Sequence, residues 1–324
     1  MLAGIDRRLG APILAYPAVS LAGRNLSEIL SSPDMQADAV SEIAKRAKTG
    51  AAFCFMDLSV EAEAFGARAV FSENSVPHID KSLLKHPSGA KSLKIPSVGA
   101  GRTGIYLNGA ILASERISDR PTYACVCGPY TVAWQLWGAE NLRALCLKEP
   151  KEAEILLEKI WEFQVEYVDA YKRGGLSGVL IAEPLAGFLP KELNWRFSGK
   201  YVKRIVEREQ SSDFSVIYHS CADCAEDIIG QILRTQACAF HFGEMSDIGK
   251  ILSRAPKDIL IMGNLRALDF VEKSPGDIAL STRGLLEKFG MFENYAISSG
   301  CDIPLNALWE NIDAFCGAVR QYYK

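Results

Sequence analysis

Eight short apolar runs, separated by longer stretches of helical period, predict a (β/α)8 TIM barrel that forms a single domain over residues 1–324. Each run is apolar at successive positions, as expected of strands buried between a barrel interior and a helix layer. In order they are Ile13–Tyr16, Phe53–Asp57, Tyr123–Cys127, Gly178–Ala182, Val216–His219, Cys238–His241, Ile259–Met262 and Tyr295–Ser298. The alternative for a strand–helix alternation of this kind is a doubly wound open sheet.

The helical stretches carry their own signals. Leu156, Ile160, Phe163 and Tyr167 form an apolar stripe before the fourth run. Trp309, Ile312, Cys316 and Val319 form another in the last segment. Pro150 opens one helix, and Ser246 with Asp247 opens another. Residues 58–122 are too long for one crossover and read as an elaboration of extra helices, with a hairpin around Ala67–Phe71.

Bulk composition narrows the function classes. The chain is 48% hydrophobic and 23% charged, which suits a soluble protein with a full core. Its 36 basic and 39 acidic residues leave a net charge of −3, unsuited to binding nucleic acid or an anionic membrane surface. No apolar run approaches the roughly 18 residues of a membrane span, and no signal peptide is visible. A cytoplasmic location is therefore expected, with the nine cysteines as thiols or metal ligands. Gly99–Gly104 matches the spacing of a dinucleotide fingerprint, but the preceding segment contains Pro96 and does not read as a strand. It reads better as a flexible loop near the barrel mouth.

The chemistry concentrates at predicted strand ends. His219 and Cys221 stand two apart where the fifth run ends, so an imidazole and a thiolate point the same way. The C-terminal end of a barrel strand is the active-site face. Cys301 follows the eighth run, after Gly300, whose freedom would permit an unusual backbone turn. Together His219, Cys221 and Cys301 make a zinc ligand set with a fourth position open, the arrangement of a catalytic metal. Cys224 completes a C-x-x-C with Cys221 and is an alternative ligand or redox partner. Cys125 and Cys127 read as barrel packing, and Cys54, Cys146, Cys238 and Cys316 as core.

Carboxylates end two other runs. Asp57, followed by Glu61 and Glu63, and Glu183 before Pro184 are candidate catalytic groups. Glu183 could orient a ligand or bond the zinc, and Asp57 could hold a substrate cation or a histidine. Each could instead be a helix N-terminal acid or half of a salt bridge. His241 ends the sixth run, and its role stays open.

His219-Ser-Cys221, with Ser299-Gly-Cys301-Asp-Ile-Pro304 about eighty residues on, resembles the His-x-Cys…Cys zinc motif of the cobalamin-dependent methyltransferases. These belong to the uroporphyrinogen decarboxylase superfamily, and the resemblance is greatest to the methylcobamide:coenzyme M methyltransferases. It extends over about residues 10–320, with supporting stretches at Met56–Glu63, Cys127–Pro129, Leu180–Pro184, Met262–Asn264 and Pro304–Phe315. Ala222, where glycine is expected, and Asp302 depart from the pattern. The resemblance implies zinc, a corrinoid such as methylcobalamin carried on a partner corrinoid protein, and a small methyl acceptor, a thiol such as coenzyme M. Transfer in the opposite direction, from a methylated substrate to Co(I), is the variant reading. A tetrapyrrole decarboxylase is the alternative, but Arg7, Arg8 and Arg24 do not reproduce that branch's arginine signature.

Overall fold

The computed structural model describes residues 2–73, 75–86, 88–222 and 225–324. Seven parallel strands follow one another around a curled sheet: β1 (Ala52–Phe53), β4 (Thr122–Cys127), β5 (Gly178–Ala182), β6 (Ser215–Ser220), β7 (Ala239–Phe242), β8 (Leu260–Leu265) and β9 (Tyr295–Ser299). Their spatial order is their chain order, with no reversal. A doubly wound sheet needs such a reversal, so the order decides for the barrel.

The first predicted run, Ile13–Tyr16, forms no ladder, and this corrects the expectation of eight strands. Pro12 has no N–H to donate, and Pro17 ends the run. The segment still closes the barrel between β9 and β1. Ala11 N donates to Ile297 O at 2.9 Å, and Gly50 N donates to Gly10 O at 2.6 Å. Ile13 N finds the side chain of Ser299 at 3.0 Å instead of a backbone carbonyl. The second run is also shorter than expected, because only Ala52 and Phe53 pair with β4.

Alternation along the strands divides the interior in two. Ile13, Phe53, Tyr123, Leu180, Ile217 and Met262 pack together inside the barrel. Val179, Ile181, Val216, Tyr218, Phe240 and Ile297 face the helices. The helix Pro150–Arg173 buries Leu156, Ile160, Phe163 and Tyr167, the stripe read from sequence. Asp247 caps the helix Ile248–Arg254 by accepting from Lys250 N. Among the described residues no helix is long and apolar enough to cross a membrane.

The elaboration contains the expected hairpin, β2 (Ala69–Ser72) and β3 (Ser75–Ile79). The loop Gly99–Gly104 follows no strand; it leads into the helix Thr103–Arg116 and is pinned by Thr103, whose hydroxyl accepts from Gly99 N at 3.0 Å.

Candidate metal centre

β6 carries His219 to the barrel mouth, and Cys221 lies just past the strand's end. Cys301 follows β9, three strands further round the sheet. The ligand atoms of His219, Cys221 and Cys301 lie within 4.8 Å of one another, and no other such group of three occurs among the described residues. His219 Nε2 and Cys301 Sγ are 3.7 Å apart. Donors about 2.0–2.3 Å from a tetrahedral zinc are separated by roughly 3.3–3.8 Å, so this spacing fits the ion. Cys224 lies outside the described residues.

Glycines let the loops close in. A Cβ on Gly243 would sit 2.7 Å from Cys221 Cα. A Cβ on Gly300 would sit 2.7 Å from Glu244 N. Gly300 is not among the residues of positive φ, so its value is close approach rather than an unusual turn, which corrects the sequence reading.

The two sulfurs are hydrogen-bonded to each other, with opposite effects on their acidities. The hydrogen bond from Cys301 pulls the Cys221 thiol below its ordinary acidity range. The same bond pushes the Cys301 thiol up.

Behind the ligands runs a chain that fixes the imidazole. His219 Nδ1 meets His241 Nδ1 at 2.8 Å, and His241 Nε2 meets Ser298 Oγ at 2.7 Å. Ser298 Oγ donates to Ala11 O at 2.8 Å. A carbonyl only accepts, so the serine's single proton is committed there. Ser298 must then accept from His241 Nε2–H. Burial holds His241 neutral, well below the usual imidazole range, so its Nδ1 is the acceptor. His219 therefore donates from Nδ1 and keeps a free lone pair on Nε2, the atom facing Cys301. Sequence reasoning left His241 open. Its inward position beside His219 depends on the β6–β7 register, which pairs these two residues directly.

The two strand-end carboxylates have other partners. Glu183 is fully buried, and its oxygens accept from Tyr130 N at 2.8 Å, Thr131 N at 2.9 Å and Ser198 Oγ at 2.7 Å. It sits at the N-terminus of the helix Pro129–Trp137. Asp57 accepts from Arg102 at 2.5 Å and Tyr106 Oη at 2.8 Å on one oxygen, and from Ser59 N and Oγ on the other. Arg102 also binds Glu63 at 2.6 Å. Glu61 was unexpected: it is buried, accepts from Cys127 N at 2.7 Å, and leaves Oε2 without a partner. Of the cysteines read as core, Cys54, Cys146 and Cys316 are buried, while Cys238 is only half-buried.

A cavity of about 520 Å³ opens beside Cys301. Tyr16, Met56, Leu58 and Leu305 give it an apolar wall, and Val76 and His78 of the hairpin reach over it. Asp302 lines it as well, its carboxyl pushed well above the usual range, foremost by burial.

The family model described as uroporphyrinogen decarboxylase (URO-D) matches residues 5–322. The chain belongs to this family. Curated relatives fall on two sides of it. A uroporphyrinogen decarboxylase of Flavobacterium johnsoniae is 22% identical over 298 residues, covering 90% of this chain and 85% of that protein. The methylcobamide:CoM methyltransferase MtbA of Methanosarcina acetivorans is 23% identical over 272 residues, covering 82% and 78%. Among solved structures, a methyltransferase from Methanosarcina mazei superposes with a TM-score of 0.86 at 18% identity, covering 98% of this chain and 93% of its own. A putative vitamin-B12-independent methionine synthase from Listeria monocytogenes gives 0.60 at 11% identity, with 97% and 95% covered.

Proposed function

We propose that this URO-D family protein is a zinc-dependent methyltransferase that moves a methyl group between a corrinoid and a small thiol. The observation that carries the reading is the convergence of His219, Cys221 and Cys301 within 4.8 Å at the barrel mouth, beside a cavity. Two thiolates and a neutral imidazole would leave a bound divalent ion formally neutral, with one position free for a substrate sulfur. Zinc, when bound, supplies a Lewis acid that keeps that sulfur deprotonated at neutral pH. The likeness to the methylcobamide:CoM methyltransferase MtbA supports the same reaction class.

The chain's own residues do the positioning. The relay from His219 to Ala11 O fixes the ligand tautomer. The apolar wall of Tyr16, Met56 and Leu58 excludes water from the reacting sulfur. A methyl corrinoid, when docked, would supply the methyl carbon and keep the bond's electron pair on cobalt; the substrate sulfur held at this site would form the new bond to that carbon, and the thiol proton would pass to solvent. The barrel mouth is the face a corrinoid protein would dock on. The same site serves transfer from a methylated substrate to Co(I) when the steps run in reverse.

The test uses the full chain loaded with zinc, methylcobalamin and a thiol, with loss of the methylcobalamin absorbance as the readout. Cys301→Ala is expected to lose zinc and demethylation together. Full activity in a zinc-free Cys301→Ala protein overturns the proposal. Conversion of uroporphyrinogen to coproporphyrinogen by the wild type, without demethylation, would place the protein with the decarboxylases instead.

A further inference from the structure

Resting on that reading of Cys301 as part of the reacting centre, we infer that Phe71 is a specificity-determining residue: stacked on the buried Arg102, it holds Val76 and Pro77 as the roof of the cavity, which then admits only compact thiols. Within the hairpin, Val70 pairs with His78, and Ser72 pairs with Ser75. Phe71 therefore stands alone opposite two residues, Val76 and Pro77, the signature of a β-bulge on β3. Pro77 has no N–H for a ladder, which favours the bulge at that point. A bulge bends its strand and re-aims side chains, and here both bulged residues line the cavity beside Cys301.

Among the described residues the hairpin pairs with no strand of the barrel, and two strands alone are marginal in water. Its place over the cavity must come from contacts outside its own ladder. Near the turn, Leu26 N donates to Glu73 O at 3.3 Å. Beside the bulge the contact is Phe71, whose ring centroid lies 4.7 Å from the guanidinium carbon of Arg102, within cation–π range. The ring is 44% exposed, so it owes its position to that guanidinium more than to a core. Arg102 itself is buried, and each guanidinium nitrogen is engaged: Nε by Glu63, Nη1 by Asp57 and Nη2 by Ser59 Oγ at 2.7 Å. The platform under the ring is thereby fixed. Asp57, which anchors it, stands between Met56 and Leu58, two residues of the cavity wall. Wall and roof are thus referred to one cation, and the stack sets the gap between them.

Two maleimides that differ in bulk, N-ethylmaleimide and N-(1-pyrenyl)maleimide, test the roof on the metal-free full chain. The rate of alkylation at Cys301 is read by peptide mass spectrometry. Half-buried Cys238, just before β7 at the other end of the strands, is the internal control. In Phe71→Ala the ratio of pyrenyl to ethyl rates at Cys301 is expected to rise about tenfold, the factor that loss of one desolvated cation–π contact gives, with the ratio at Cys238 unchanged. Phe71→Trp keeps the stack and should keep the wild-type ratio. Phe71→Leu keeps apolar bulk without a π-face and should behave as the alanine variant does. An unchanged ratio in Phe71→Ala, or a wild-type ratio in Phe71→Leu, overturns the inference and leaves methyl transfer standing. In the zinc-loaded protein with methylcobalamin, the preference in kcat/KM for 2-mercaptoethanol over glutathione is expected to fall about tenfold in Phe71→Ala, for the same reason. A maleimide ratio that shifts in a protein that demethylates nothing upholds the roof and overturns the reaction.

Discussion

Two buried imidazoles in contact have one arrangement of protons that satisfies the nitrogens of the relay here, and Ser298 dictates it. The serine's proton goes to Ala11 O, which sets His241, which in turn sets His219. Groups that orient a metal-binding histidine commonly govern affinity by about 10–100-fold. His241→Ala is therefore expected to weaken zinc binding by a factor in that range without removing a ligand, measured by competition with a chromogenic chelator. Glu61 has a different signature. Burial pushes its carboxyl up to about 8 from 4.5, so the folded protein holds a proton that the unfolded chain releases near pH 4.5. Stability from this group is present at low pH and is lost as pH rises through that window. Thermal melts of Glu61→Gln should consequently gain on the wild type between about pH 5 and pH 8; parallel pH curves would refute a buried neutral carboxyl.

At the scale of elements, strand ends were easy to find in the sequence and hard to interpret. Glu183 ends β5, where a barrel keeps its catalytic groups, yet its oxygens meet the first N–H groups of the next helix. Removing that acid leaves three buried donors unpaired, Tyr130 N, Thr131 N and Ser198 Oγ, so Glu183→Ala is expected to cost at least about 2 kcal/mol in denaturant unfolding. One zinc per chain should remain, since the carboxylate is spent on the helix. Asp57 shows the same ambiguity, because its partner Arg102 is 45 positions away, inside a glycine-rich loop. Local pattern reveals that an acid stands at a strand end; only the packed chain reveals which cation or amide meets it. The His-x-Cys pair was legible because both ligands share one strand end. Cys301 was legible because barrel geometry brings all strand ends to one face. His241 was not, since parallel register leaves no local trace. Ile13–Tyr16 has the composition of a strand, but the prolines on either side deny it the ladder.

Across the whole molecule, the seam between the first and last parts of the barrel and the candidate metal site are one structure. Ala11 N is bonded to Ile297 O, and Ala11 O receives Ser298. A ligand that binds only the folded form stabilises it, by about 4 kcal/mol at a thousandfold excess over Kd. Zinc should thus slow hydrogen exchange at the Ala11 amide, read by NMR or mass spectrometry. Unchanged exchange there would separate seam from site.

That coupling has a consequence for how the protein matures. Residues 11, 219, 221, 241, 298 and 301 must all be in place before the imidazole presents the correct nitrogen to an ion. If the proposed ion binds, one arriving earlier would find two sulfurs and a ring free to turn, and would be easily surrendered. Firm loading would then be the last event of assembly, and retained metal would report a closed barrel.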